Sequence, residues 1–169
     1  MRIPREWQLL EVEHQDAILR HSETPPVKVS HIARDLGVSV SLASFPTSIS
    51  GQLRRTEKTA SGFEIRVNRH EARVRQRFTI SHELAHYFLH RSLIEDEIVD
   101  NILYRSKLSD DLEVQANRLG AEIIMPARLI RRAYAELNST LDEMVVERLA
   151  GMFEVSFDAM KYRTGWRNG

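Results

Sequence analysis

The chain has 169 residues, 42% of them hydrophobic, which is enough for one domain of ordinary size to bury a core without disulfides or obligate assembly. Its 24 basic and 24 acidic residues cancel, so no global field exists to hold nucleic acid or an anionic membrane, and any such surface would have to be a local patch. There is no cysteine, which excludes a disulfide framework, thiol nucleophiles and thiolate metal sites, and suits a reducing compartment.

The opening stretch MRIPREWQLLEVEH spreads charge along its length, and no segment approaches the roughly 20 apolar residues of a membrane span. A cytoplasmic protein is the expectation. From Arg5 to His21 the residues Trp7, Leu10, His14, Ala17, Ile18 and His21 recur at spacings of three and four, the pattern of one amphipathic helix ended by Thr24, Pro25 and Pro26. A short second helix is expected in HIARDL, capped by Ser30 and terminated by a left-handed Gly37. Val38 to Asn68 reads as strands: SISGQLRRT and GFEIRVN alternate apolar with polar residues, and EKTASG between them supplies the turn of a β-hairpin.

From Val74 the periodicity is helical again, and it carries FTISHELAHYFLH, Phe78 to His90. His82 and His86 are four residues apart, which puts both imidazoles on one helix face about 6 Å apart along the axis, able to converge on one ion. Glu83 lies beside that face, where it could accept a proton from water at the ion. The pattern is the H-E-x-x-H of zinc peptidases. The bland alternative, packed histidines on a core helix, leaves Glu83 without purpose in an apolar segment. His90, eight residues from His82, is about 12 Å away along a straight helix and too far to share the ion.

A catalytic zinc takes three protein ligands and keeps one position open, so a carboxylate is needed from elsewhere. SDDLEVQANRLGAEIIMP offers it. Ser109, Asp110 or Asp111 can cap a helix with Leu112, Ala116, Leu119, Ile123 and Ile124 as its apolar stripe. Glu113 can supply the carboxylate, and Asn117, one turn on, can hydrogen-bond the far nitrogen of a ligating imidazole. Glu122 is the rival, nine residues later on a different flank, and reads as an arginine partner or a solvent-facing group.

Together RVRQRFTISHELAHYFLHR and LEVQANRLGAEIIMP resemble the ImmA/IrrE family of metallopeptidases: two motifs, in the right order, at the right separation. The likeness extends to PVKVSHIARDLGV, ISG, IRVN and RLAGMFEVSFDAMKYR, nearly the whole chain. The resemblance implies that His82, His86 and Glu113 hold a zinc ion and that Glu83 is catalytic. Leu119 and Gly120 stand where the family often has phenylalanine and alanine, a difference in helix packing. The family likeness further implies an endopeptidase that cuts a helix-turn-helix repressor in a phage-type, stress-response or toxin-antitoxin-like regulatory module. Manganese or iron would fit the same ligands, but the geometry favours zinc.

The remaining site candidates are coarser. Tyr87, His90, His70 and Tyr104 are candidates for stabilising an oxyanion, and Arg73, Arg75 and Arg77 for binding substrate. An extended substrate could add to the edge of the Ile49 to Val67 hairpin. A rival reading is a binding module, since VSHIARDLGVSVS and LDEMVVERLAGMFEVSFDAMKYR both have a helix, turn, helix rhythm, the second started by a Thr140 and Glu143 capping box. Lys161, Arg163 and Arg167 are too few to make a DNA surface, and an intact but silent partner-binding regulator is the second alternative. The expected architecture is α+β, a small mostly antiparallel sheet packed on helices in a zincin-like arrangement. One domain over 1–169 is expected, with N-terminal helices over 1–37, a hairpin region over 38–72, metal-site helices over 73–130 and a C-terminal helical subregion over 131–169.

Overall fold

A computed structural model describes residues 1–94, 97–101 and 110–167. The fold is α+β. Four strands, β1 (Ser39–Ala43), β2 (Ile49–Arg55), β3 (Phe63–Asn68) and β4 (Glu97–Asn101), lie in the order β1-β3-β2-β4. β2 pairs antiparallel with β3 and β4, and β1 runs parallel to β3, so the sheet is mostly antiparallel as expected. The β2–β3 hairpin closes where the Thr56 N–H donates to the Gly62 carbonyl, and Gly62 takes the left-handed conformation that the turn requires. Both strands of this hairpin are already paired on their outer sides, so a substrate cannot add there. The edges of the sheet are β1 and β4.

Seven α-helices are present among the described residues: α1 (Val12–Arg20), α2 (Val29–Asp35), α3 (Arg73–His90), α4 (Asp110–Ile124), α5 (Ala127–Leu137), α6 (Glu143–Phe153) and α7 (Phe157–Thr164). The expected single helix over Arg5 to His21 is in fact a 3-10 turn, Arg5–Leu9, followed by α1. The Gln15 side-chain amide donates to the Trp7 and Leu10 carbonyls across the break. Ser30 lies inside α2 and makes no cap, because the helix already starts at Val29, whereas Gly37 ends it with a positive φ as the sequence indicates. After Gly37 the chain enters β1, so VSHIARDLGVSVS is not a helix-turn-helix. The second such stretch does form two helices, α6 and α7. Its cap, however, is the Asp142 carboxylate, which accepts from the Val145 N–H, in place of Thr140. Ser109 lies outside the described residues.

The core lies between the sheet and the helices. Leu53, Ile65 and Val67 from the sheet meet Leu84 and Ala85 of α3, and Leu119, Ile123, Leu129, Val146 and Phe153 continue the same cluster through the later helices. α3 is therefore buried along its middle, from Thr79 to Tyr87, and that is the stretch carrying the histidines. Within the described residues no helix is long and apolar enough to cross a membrane.

Candidate metal centre

α3 and α4 form the site by crossing at closest range. A Cβ on Gly120 of α4 would lie 3.1 Å from the His82 Cα and 3.2 Å from both the His82 nitrogen and the Ser81 carbonyl oxygen. A residue without a side chain lets the two backbones meet this closely with no crowding. The crossing carries Glu113, two turns earlier on α4, to the two imidazoles of α3.

The His82 and His86 Nε2 atoms are 3.0 Å apart, and the Glu113 carboxylate oxygens lie 3.5 Å from the first and 3.3 Å from the second. All three donors fall within 4.8 Å of one another. Around a tetrahedral ion with bonds of about 2.0–2.1 Å, neighbouring ligand atoms stand about 3.3–3.4 Å apart. The two distances to Glu113 run to different carboxylate oxygens, and together with the 3.0 Å between the imidazoles they lie close to that value, so the residues fit a divalent metal. His82 and His86 are buried, and Glu113 keeps partial contact with solvent on one side. Burial alone would raise the Glu113 carboxyl. The two imidazoles facing the carboxylate outweigh it and hold the group well below the ordinary carboxylate range. Burial pushes the His86 imidazole down, against the opposing pull of Glu113, favouring the neutral form that a metal ligand needs.

Glu83 is fully buried, and its Oε1 lies 3.4 Å from where a Cβ on Gly51 would sit. β2 can approach it because Gly51 has no side chain, and that missing Cβ would stand only 2.3 Å from the Thr79 Cγ2. A register shift beside it, where Ile49 and Gly51 face Asn101 and Asp100, marks a bulge at Ser50. The Ser50 hydroxyl donates to the Glu71 Oε1 at 2.8 Å and accepts from Arg75 at 3.1 Å.

The other candidate residues are distributed differently from the sequence expectation. Asn117 is exposed: four residues on from Glu113 it has turned about 40° past a full revolution, out of the seam with α3. The far nitrogen of His86 faces His90 in its place, Nδ1 to Nδ1 at 3.0 Å. His90 therefore lies on the far side of the His86 ring from His82 and Glu113. Tyr87 is buried in the core against Phe63, 5.5 Å between ring centroids, on a different side of α3 from the imidazoles. His70 is exposed in the turn before α3, and Tyr104 lies outside the described residues. Arg77 is consumed structurally, donating to the carbonyls of Val27, Phe153 and Glu154, while Arg73 pairs with Glu154 on the surface. Arg75 alone of the three turns toward the site, lying over Phe78, which stacks on His82 with centroids 6.4 Å apart. Glu122, the rival carboxylate, is buried, pairs with Arg163 and accepts from the Ala127 N–H. Phe78, Gly51 and Gln115, whose Oε1 faces the His90 Nε2, escaped sequence reasoning. The signal for the last pair was the third histidine at the same spacing of four.

Comparison with known proteins agrees with this geometry. The family model described as the IrrE N-terminal-like domain matches residues 33–164, which include both ligand-bearing helices. Metallopeptidase ImmA of Bacillus subtilis is 30% identical over 93 residues, covering 55% of this chain and 52% of the relative. A Mycobacterium tuberculosis transcriptional regulator has the same fold, with a TM-score of 0.57 at 17% identity over 96% of this chain and 52% of that one. The chain thus spans about half the length of the relatives it matches. Because the match covers most of the chain and runs through both helices of the candidate metal centre, the chain belongs to the family described as the IrrE N-terminal-like domain.

Proposed function

We propose that the protein is a zinc-dependent endopeptidase that acts on a helix-turn-helix transcriptional repressor. The observation that carries the reading is the convergence of the His82, His86 and Glu113 donors at tetrahedral spacing, with Glu83 next in sequence to the first ligand. Zinc bound there would polarise the scissile carbonyl and lower the pKa of water toward about 7. Glu83, held under β2, takes the proton of the attacking water and returns it to the leaving amine. Arg75 and Phe78, on the His82 side of α3, are the residues best placed to meet substrate.

The metallopeptidase name of one relative favours peptide-bond hydrolysis, and a helix-turn-helix repressor is the substrate class that the sequence resemblance implies. A role inside the cytoplasm follows from that substrate. The test is incubation of the zinc-loaded protein and of Glu83→Gln with helix-turn-helix repressors from the same genome, read by intact mass. A discrete cut made by the wild type and lost in Glu83→Gln supports the reading. Retention of cutting by Glu83→Gln refutes it.

A further inference from the structure

His90 and Gln115 form a connection behind the metal centre. His90 is the last residue of α3, 2% exposed, with its two ring nitrogens engaged in different directions. Its Nδ1 stands 3.0 Å from the Nδ1 of His86, and its Nε2 stands 3.4 Å from the Oε1 of Gln115, on α4 two residues from Glu113. An amide oxygen can only accept, so the His90 Nε2 carries the proton in that contact. The His90 Nδ1 of the neutral ring is then an acceptor, and the nitrogen facing it, the His86 Nδ1, is the donor. That leaves the lone pair of His86 on Nε2, the atom turned toward His82 and Glu113.

We infer that His90, oriented by Gln115, is a positioning residue that fixes His86 in the tautomer able to bind metal. The opposite arrangement, with His90 donating from Nδ1, would put the His86 proton on Nε2 and block the ligand position. With the Gln115 oxygen facing Nε2 the arrangement is opposed, because a His90 protonated on Nδ1 would turn a bare nitrogen toward that oxygen. Docking of α4 against α3 thus does two things together: it delivers the Glu113 carboxylate and sets the proton on His86. The inference rests on the metal reading proposed above, but it concerns a residue outside the ligand set.

The direct test is nitrogen-15 NMR of the histidine rings in the wild type, with and without zinc. The expected result is a protonated Nε2 on His90 in both forms and a protonated Nδ1 on His86 in the zinc-loaded form. A His90 protonated on Nδ1 overturns the inference. The second test is zinc affinity by chelator competition. His90→Leu keeps apolar volume but has no acceptor, and His90→Asn restores an acceptor near the Nδ1 position. His90→Leu is expected to bind zinc about 10- to 100-fold more weakly, the usual loss on removing the partner of a ligating imidazole, and His90→Asn to recover most of it. Equal affinity in wild type and His90→Leu, or equal loss in the Leu and Asn variants, overturns the role. If His90→Leu does not fold, the wild-type ring spectra decide. A wild type that takes up no zinc at all fails the metal reading itself, whereas one that binds zinc unaffected by His90→Leu fails only this inference.

Discussion

Gly120→Ala probes the helix crossing on which the site depends. The added methyl would stand 3.1 Å from the His82 Cα and 3.2 Å from two further backbone atoms of α3, against an ordinary carbon contact of about 3.5–4.0 Å. Backbone atoms of a packed helix cannot turn aside, so the helices must separate by about 0.4–0.9 Å to restore normal contact at the His82 Cα. Such overpacking costs about 1–3 kcal/mol. Replacing glycine by alanine inside a helix also gains about 1 kcal/mol of helix propensity, which would mask part of the cost. Gly151→Ala, in α6, isolates the gain, because nothing lies within 4 Å of a Cβ there. The two variants share the propensity term, so the difference between them reads the crossing. Thermal unfolding of the metal-free proteins should place Gly120→Ala below Gly151→Ala by about 1–3 kcal/mol, or about 2–4 °C for each kcal/mol in a chain of this size. A separation of several tenths of an ångström also exceeds the roughly 0.2 Å tolerance of metal–ligand bonds, so Gly120→Ala alone should lose zinc affinity. Equal stabilities together with unchanged zinc binding would refute the argument that Gly120 sets the distance from Glu113 to the imidazoles.

Further outcomes follow from other parts of the fold. Arg163→Met strands the buried Glu122 carboxylate and should cost about 3–5 kcal/mol near neutral pH by denaturant unfolding. Burial already raises the Glu122 carboxyl, against the pull of Arg163, and loss of the arginine raises it further. A carboxyl raised in the folded state stabilises below its unfolded pKa, and the benefit disappears as pH rises through its folded one. The cost of Arg163→Met should therefore be smaller at acid pH than at neutral pH, and a pH-independent cost would contradict it. Gly51→Ala brings a methyl to 2.3 Å from the Thr79 Cγ2 and should destabilise by about 1–3 kcal/mol. Adding Thr79→Ser, which deletes that Cγ2, should relieve the strain, and strictly additive effects in a double-mutant cycle would argue against the contact.

The clustering of His82, His86 and Glu113 was legible because it obeys local geometry. The spacing of His82 and His86 fixes a shared face, and the need for a third donor leads to the acidic helix where Glu113 lies. The α+β class and the β2–β3 hairpin were also legible, from alternation and turn chemistry. What lay beyond reach depends on contacts between distant segments. No periodicity reveals that β1 joins β3 in parallel and β4 covers β2, yet those pairings close both sides of the hairpin. Arg75 and Arg77 look alike in sequence, but α3 turns one toward Phe78 and buries the other against the carbonyls of Val27 and Phe153. The exposure of Asn117 and the contact of His90 with His86 were hidden for a similar reason. Helical spacing placed Asn117 one turn beyond Glu113, whereas the angle of the crossing decides which neighbour faces the back of His86.

Metal content tests the central claim most directly. Elemental mass spectrometry on wild type and Glu113→Gln, each supplied with zinc and dialysed against metal-free buffer, should find about one zinc per wild-type chain and little in the variant, since a neutral amide is a poor ligand for the ion. Wild-type protein that retains no metal after zinc is supplied, or Glu113→Gln that holds as much as wild type, would contradict the assignment of His82, His86 and Glu113 as a metal centre.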